Sequence, residues 1–290
     1  MRKLFIFGYG FSCEEIAKQA KSDFDEICGT SRKPERAQSL GKNNVTGLVF
    51  DGESLTDKLK QHLSDSTHLV MSISPGEEDP VLSCIGQDLK THCPNLEWAG
   101  YLSTVGVYGN HDGEWVDEET IPKPVSRRSK DRVNAENAWL SAGSAADIPA
   151  AIFRLSGIYG PGRNAFMNIK KGTARRLVKP GQVFNRIHRE DIGQAVALAM
   201  GQNTSGIFNI TDDEPAPPQD VVLFAHKLMG VEPPSEMDFE TADLSPMARS
   251  FYGENKRVSN AKSKSVLGME YKWPDYRTSL QRMLKEDCWQ

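Results

Sequence analysis

Apolar residues fall in short runs of strand length through the first half of the chain, at 3–7, 25–29, 45–50, 68–73, 98–102 and 150–155. Between most of them lie stretches with helical length and charge spacing, at 14–21, 55–63, 82–91 and 129–140. Strand and helix in alternation imply parallel strands joined by right-handed crossovers, because a tight turn cannot link parallel neighbours. The pattern predicts an α/β fold built on a doubly wound parallel sheet of Rossmann type. No repeat period of about 20 to 50 residues is present, so solenoids and propellers are unlikely on this pattern.

The pattern changes after Gly160. A basic stretch of low hydrophobicity (Lys170, Lys171, Arg175, Arg176, Lys179) precedes a proline cluster (Pro215, Pro217, Pro218, Pro233, Pro234). Residues 191–200 carry apolar positions at helical spacing, and 206–211 form a further short strand pattern. We therefore expect residues 1–165, completed by about 186–212, to form a dinucleotide-binding domain. Residues 166–185 and 213–290 are expected to form a smaller C-terminal substrate lobe.

Composition narrows the class. Hydrophobic residues make up 38% and charged residues 26% of 290, with 24 Gly and 16 Pro, as in an ordinary globular chain. The net charge of -4 argues against nucleic acid or an anionic membrane as main partner. No segment reaches the roughly 18 consecutive apolar residues of a membrane helix, and the start lacks a secretory pattern. Cys13, Cys28, Cys84, Cys93 and Cys288 are odd in number and contain no CxxC pair, so neither disulfides nor a metal site is expected, and a cytoplasmic location fits.

Directly after the first strand stands Gly8-Tyr9-Gly10-Phe11-Ser12-Cys13, which is GxGxxG with Cys13 for the third glycine. The first glycine permits a tight turn and the second lets the backbone approach a pyrophosphate; the third is needed only for close packing, which a small residue tolerates. An NAD site would place an acid for the ribose about 20 residues further on. Here the stretch is Gly29-Thr30-Ser31-Arg32-Lys33 with Arg36 one turn later, a hydroxyl and cations suited to a 2′-phosphate. NADP is favoured over NAD. Asp51 after the third strand is expected near the adenine, and Ser72 to Pro75 after the fourth along the cleft.

The sequence resembles the extended or atypical short-chain dehydrogenase/reductase superfamily of the NAD-dependent epimerase/dehydratase type, most closely its YeeZ-like members. The resemblance spans nearly the whole chain. It rests on the glycine loop, on Leu102-Ser103-Thr104-Val105-Gly106-Val107-Tyr108-Gly109, and on Phe153-Arg154-Leu155-Ser156-Gly157-Ile158-Tyr159-Gly160-Pro161-Gly162-Arg163. Arg186-Ile187-His188-Arg189-Glu190-Asp191-Ile192 and Phe208-Asn209-Ile210-Thr211-Asp212-Asp213-Glu214-Pro215 extend it. In that family a Ser or Thr, a Tyr and a Lys carry the chemistry, the last two as YxxxK. The resemblance implies Thr104 at the reacting carbonyl and Lys130 at the nicotinamide ribose. Ser126 stands where the Tyr belongs, and a serine hydroxyl is a far weaker acid than a lysine-perturbed phenol. Tyr108 is a poor substitute, since four residues of regular strand would separate it from Thr104 by roughly 13 Å; Tyr159, His188 and Lys130 are the alternative donors, each with a plain explanation as loop packing, a cap or salt partner of Asp191, and a ribose ligand.

Arg154 and Arg186 occupy positions where the family places substrate or structural arginines. With the basic stretch they suit a small-molecule substrate that is phosphorylated or nucleotide-linked. The leading expectation is a reversible hydride transfer on a carbonyl or sugar-nucleotide-like substrate. Its rival is a regulator or sensor that binds the dinucleotide without turnover, and a cofactor-free scaffold ranks third. The oligomeric state stays open between monomer and homodimer.

Overall fold

A computed structural model describes residues 1–290, apart from the side chain of Met247. Seven strands form one sheet: β1 (Lys3–Phe7), β2 (Glu26–Ser31), β3 (Thr46–Val49), β4 (His68–Met71), β5 (Trp98–Thr104), β6 (Ala150–Leu155) and β7 (Gly206–Ile210). Their spatial order is 3-2-1-4-5-6-7, and every neighbouring pair is parallel. The order reverses between β1 and β4. Loops leaving those two strands run to opposite faces, which opens a crevice at their carboxyl ends.

Alternation along the strands builds two apolar layers. In β1, Leu4 and Ile6 join one layer while Phe5 and Phe7 join the other. The helices Phe11–Ala20 and Arg189–Gly201 cover the first layer through Cys13, Ile16, Ile192, Ala195 and Val196. Helices Asp57–Ser64, Pro80–Ile85, Leu89–His92 and Arg127–Ala146 cover the second. The helical stretch expected at 82–91 is two helices instead. Gly86 at φ +80 ends the first, and the carboxylates of Asp79 and Asp88 cap one helix each.

Beyond β6 the chain builds the smaller lobe around Phe166, Trp273, Tyr276, Leu280, Met283 and Trp289. Short parallel ribbons, Gly157–Tyr159 with Arg186–His188 and Arg176–Val178 with Glu236–Asp238, lie outside the main sheet. The C-terminal stretch is shared between the two cores: Leu267 and Met269 pack with Phe208 of β7, whereas Trp273 and Leu280 belong to the lobe. Most of the basic stretch is spent inside the lobe. Lys170 donates to Gln290, Arg175 to the Asp243 carbonyl, Arg176 pairs with Glu236 at 2.6 Å, and Lys179 donates to the Tyr252 carbonyl.

One buried ion pair ties the two sides of the sheet's carboxyl end together. Arg154 of β6 and Glu136 of the helix Arg127–Ala146 meet at 2.8 Å with 3% and 2% of their side chains exposed. Glu136 also accepts from Ser103 of β5, and Arg154 donates to the Tyr108 hydroxyl at 3.0 Å. Tyr108 donates in turn to Asn209 of β7 at 2.7 Å. Glu136→Gln leaves the guanidinium without its counter-charge, and a loss of about 3–5 kcal/mol is expected in urea unfolding; a loss below about 1 kcal/mol contradicts this account.

At the opposite end of the sheet, burial and then Arg2 lower the His68 pKa to about 4. The ring is fully enclosed between Phe24 and Trp98, with Nε2 facing the Arg2 guanidinium at 3.3 Å. Below pH about 6.5 the unfolded chain takes up a proton that the folded chain refuses until pH about 4, so acidification costs about 1.4 kcal/mol per pH unit in that window. In His68→Gln the slope of unfolding free energy against pH flattens by that amount. An unchanged slope places the acid sensitivity elsewhere.

Candidate functional site

The glycine loop joins β1 to the helix Phe11–Ala20. Gly8 has φ +78, and a Cβ there would lie 2.7 Å from Ile73 Cγ1 and 3.1 Å from the Ile73 nitrogen. Its amide donates to Thr30 Oγ1 at 2.9 Å and that of Tyr9 to the Thr30 carbonyl at 2.8 Å, which fastens the loop to β2. Gly8 is therefore demanded by the chain itself. Gly10 is not: its backbone is extended, and a Cβ would meet only the Gly8 carbonyl at 3.8 Å. No side chain caps the helix that Gly10 begins. The first amides of that helix, those of Phe11 and Ser12, have no intrahelical acceptor, and the space beside the Gly10 α-carbon is one that a side chain at position 10 would fill.

Cys13 fills the place of the third glycine by packing inward, fully buried, with its thiol directed at the Gly8 carbonyl at 3.6 Å. Burial raises its pKa, so it is a packing residue rather than a thiolate. Ser12 is buried beside it. Phe11 lies under the guanidinium of Arg189 at 4.8 Å and near that of Arg163 at 6.0 Å, so two cations flank the open helix end.

At the end of β2, Ser31 accepts the Lys33 amide at 3.2 Å. Arg32 and Lys33 are exposed, and neither side chain has a partner among the described residues. Arg36 is engaged: it pairs with Glu14 at 3.1 Å, and Glu14 also pairs with Arg189 at 3.3 Å. Asp51 is exposed beyond β3, where the Glu53 and Ser54 amides at 2.8 and 3.2 Å hold its carboxyl below the usual range. Ser72 follows β4, and its amide donates to the Phe7 carbonyl at 2.9 Å beside the glycine loop.

Thr104 ends β5. Its Oγ1 accepts the Gly106 amide at 3.1 Å, which leaves the hydroxyl proton free to donate. Ser126 caps the helix Arg127–Ala146, accepting the Ser129 amide at 3.1 Å and donating to Ser129 Oγ at 2.9 Å. A Cβ on Gly106 would meet Ser129 Oγ at 3.2 Å and Thr104 Oγ1 at 3.4 Å. The two hydroxyls thus flank one bare α-carbon, and Ser129, not singled out in the sequence, is the serine that stands beside Thr104. Lys130 is exposed one turn into the helix and has no partner among the described residues.

The alternative donors are tied down. After Thr104 the chain leaves strand geometry for a short 3-10 turn, Val105–Tyr108, which carries Tyr108 inward to Asn209 and Arg154. Burial pushes that phenol up to about 12. Tyr159 donates to Ser279 at 2.8 Å, and burial raises its pKa further still. His188 caps the helix Arg189–Gly201 through Nδ1 and stacks on Trp273 at 4.0 Å, with burial lowering its pKa to about 3. Arg154 presents no free fork: all three of its nitrogens are held by Glu136 and Tyr108 in the core. Its β6 position made it read as a substrate residue, and its burial is invisible in the sequence. Arg186 differs, being partly exposed and donating to the Phe184 and Ala216 carbonyls through Nη1 alone.

One further cluster lies at the amino edge of the sheet. Glu26, Cys28 and His62 bring donor atoms within 4.8 Å of one another. The buried Lys3 ammonium sits 2.8 Å from His62 Nδ1 and 3.0 Å from Glu26, so the chain supplies its own cation there.

No family model matches the chain. A functionally unknown conserved protein from Silicibacter pomeroyi DSS is 42% identical over 100% of both chains, with a TM-score of 0.90. The dTDP-glucose 4,6-dehydratase of Bacillus anthracis str. Ames, solved in complex with NAD, is 16% identical over 99% of this chain and 98% of that one, with a TM-score of 0.75. A human epimerase family protein solved with NADPH is 14% identical over 98% and 99%, with a TM-score of 0.70. At those identities the two share this fold. Among curated proteins, a 3-diazoavenalumate denitrifying reductase from Streptomyces sp is 26% identical over 164 residues, 52% of this chain and 52% of the relative, so the match spans about half the relative's length. The chain belongs to one family with the Silicibacter pomeroyi protein, and it shares its fold with the dehydratase and epimerase structures.

Proposed function

We propose that this protein binds NADP across the carboxyl edge of its sheet and transfers hydride reversibly to a carbonyl or sugar-nucleotide-like substrate. The observation that carries the cofactor reading is Gly10. Its lack of a side chain has no internal cause, and it opens the amino end of the helix Phe11–Ala20. The residues present fit a dinucleotide. Gly8, Gly10, Phe11, Ser12 and Cys13 would hold the pyrophosphate, with Arg163 and Arg189 beside it. Ser31 and Arg32 would meet the 2′-phosphate, Arg36 after release from Glu14, and Asp51 would lie near the adenine. Ser72 would line the cleft.

When bound, the cofactor supplies the hydride. Lys130 orients the nicotinamide ribose through an ammonium that no other side chain claims. Thr104 offers its free proton to the substrate oxygen, with Ser129 as its neighbour. Ser126 stays in its cap and shapes the start of the helix.

A second reading is favoured by one observation. Ser126 is committed as a helix cap, and the nearby phenols of Tyr108 and Tyr159 are buried and raised, so a sensor that binds NADP without turnover needs no change in this site. NADPH oxidation across a panel of aldehydes, ketones and nucleotide sugars separates the two. Turnover that is lost in Lys130→Ala supports the enzyme, and tight NADPH binding with no turnover on any substrate supports the sensor.

Two binding predictions test the cofactor assignment. Gly10→Ala is expected to leave the melting temperature unchanged while weakening NADPH binding about tenfold or more, ~1.4 kcal/mol. Gly8→Ala, forced to positive φ, costs stability as well, by about 1–3 kcal/mol. Calorimetric titration and thermal melts check both; equal affinity in Gly10→Ala removes the pyrophosphate from this loop. Arg32→Ala is expected to raise the NADPH Kd about 10- to 100-fold, the worth of one charge-assisted contact, with little effect on NADH. Tighter binding of NADH than NADPH by the wild type overturns the NADP assignment.

A further inference from the structure

Between the glycine loop and the basic turn after β2 stands an acid that the phosphate contacts leave unexplained. Glu14 lies in the first turn of the helix Phe11–Ala20. Its two oxygens reach two other helices. Oε1 accepts from Arg36 Nη2 of the helix Pro34–Ser39 at 3.1 Å, and Oε2 accepts from Arg189 Nη1, at the start of the helix Arg189–Gly201, at 3.3 Å. Glu15 holds the other Arg189 nitrogen, Nη2, at 3.3 Å and pairs with Lys18 at 3.5 Å. The Tyr9 phenol lies within electrostatic reach of both Glu14 and Arg36. An acid in a first turn complements the helix dipole, but that role asks for no bridge between two guanidinium groups. Glu14 makes one, and it joins the cation of the 2′-phosphate end to the cation over Phe11.

We propose that Glu14 is an internal counter-anion that the dinucleotide displaces, and that it limits how strongly NADPH is preferred over NADH. This rests on reading the glycine loop and the turn after β2 as an NADP site. The carboxylate makes to Arg36 and Arg189 the charge-assisted bonds that phosphoryl oxygens would otherwise make. A phosphate monoester carries more charge than a carboxylate near neutral pH and so takes Arg36 from Glu14. The ribose hydroxyl of NADH has no such charge to offer.

The side chains of Glu14, Arg36 and Arg189 are 34%, 49% and 17% exposed. Pairs so open to solvent are weak and screened by salt, so Glu14 is a displaceable competitor rather than a lock. It acts unequally on the two cofactors. NADPH draws on both Arg36 and Arg189, and its phosphates meet the repulsion of a carboxylate left between them. NADH draws on Arg189 alone, which the buried Glu15 holds as well. Removing the Glu14 charge therefore favours NADPH more than NADH.

Calorimetric titration of the whole protein with NADPH and with NADH tests this. Glu14→Gln is expected to tighten NADPH binding about three- to tenfold and NADH binding about twofold or less, the range that one or two partly exposed ion pairs span. Glu14→Ala repeats the comparison without the amide, and thermal melts confirm that each variant is folded. Against an Arg36→Met background the same Glu14→Gln change gives NADPH no more than it gives NADH, because no guanidinium is left to release at the 2′ end. The proposal is overturned if both Glu14 variants bind NADPH no more tightly than the wild type does. It is equally overturned if the two cofactors gain alike, or if the NADPH gain survives in full without Arg36. In each of these cases NADPH still binds, and the cofactor reading stands. Binding of neither dinucleotide by the wild type or by Glu14→Gln overturns both.

Discussion

The buried pair of Glu136 and Arg154 is the constraint on which the site's geometry depends. Glu136 lies in the helix that begins with Ser126 and Lys130, and Arg154 lies in β6, two strands from the switch point. Through Ser103, Tyr108 and Asn209 the pair reaches β5, the turn after it and β7. The helix that carries Ser126 and Lys130, the end of β5 that carries Thr104, and the strands β6 and β7 are thereby held by one buried network. Such a pair contributes little net stability compared with apolar residues of the same volume, since desolvation offsets most of the attraction. Its effect is positional: it fixes where the helix start stands relative to Thr104.

The consequence is a division of labour along the carboxyl edge. Over β1 and β2, open amides and the unpaired Arg32 offer positive potential without proton chemistry. Over β5, Thr104 and Ser129 offer neutral hydroxyls and Lys130 a free ammonium. Over β6 and β7, Arg186 is partly exposed with its Nη1 held by the Phe184 and Ala216 carbonyls. Tyr159, Tyr276 and Tyr252 lie within electrostatic reach of this last part, which stands on the far side of the sheet from β2 and β3. A ligand lying along the edge thus meets phosphate-type contacts first and substrate-type contacts last.

The fold was legible because alternation and spacing are local. All seven strands of the sheet coincide with apolar runs visible in the chain, with shifts of a residue or two at their ends. The helix break at Gly86 was missed because helical charge spacing continues across it, while the caps Asp79 and Asp88 were present to be read. The structural demand at Gly8 was legible because the backbone dictates the residue type, and Arg32 stands exposed at the end of β2 where the sequence put a cation in place of an acid. Arg154 and Arg186 look alike in sequence, yet one is consumed by Glu136 and the other keeps two free nitrogens. That difference comes from the partner's position across the sheet, which no local pattern encodes. Asp212, Asp213 and Glu214 look alike in sequence, yet Asp212 is buried while Asp213 and Glu214 pair with Lys264 and Arg277.

The pKa directions sharpen the question of what chemistry the edge supports. Burial raises Tyr108 to about 12 and Tyr159 beyond it, so neither phenol is prepared to give up a proton near neutrality. A phenol is activated by a nearby cation that lowers its pKa, and the cation here, Lys130, stands one turn beyond a serine. Ser126, Ser129 and Thr104 relay hydrogen bonds but cannot serve as acids of useful strength. In the proposed reaction the edge would therefore depend on charge placement, with Lys130 at the cofactor, rather than on a strong acid. In that reaction the proton for a reduced oxygen would come from solvent through those hydroxyls. A substrate held by contacts remote from its reacting carbon would fit that requirement better than a simple ketone, because remote binding fixes the carbon without asking the site for a strong acid.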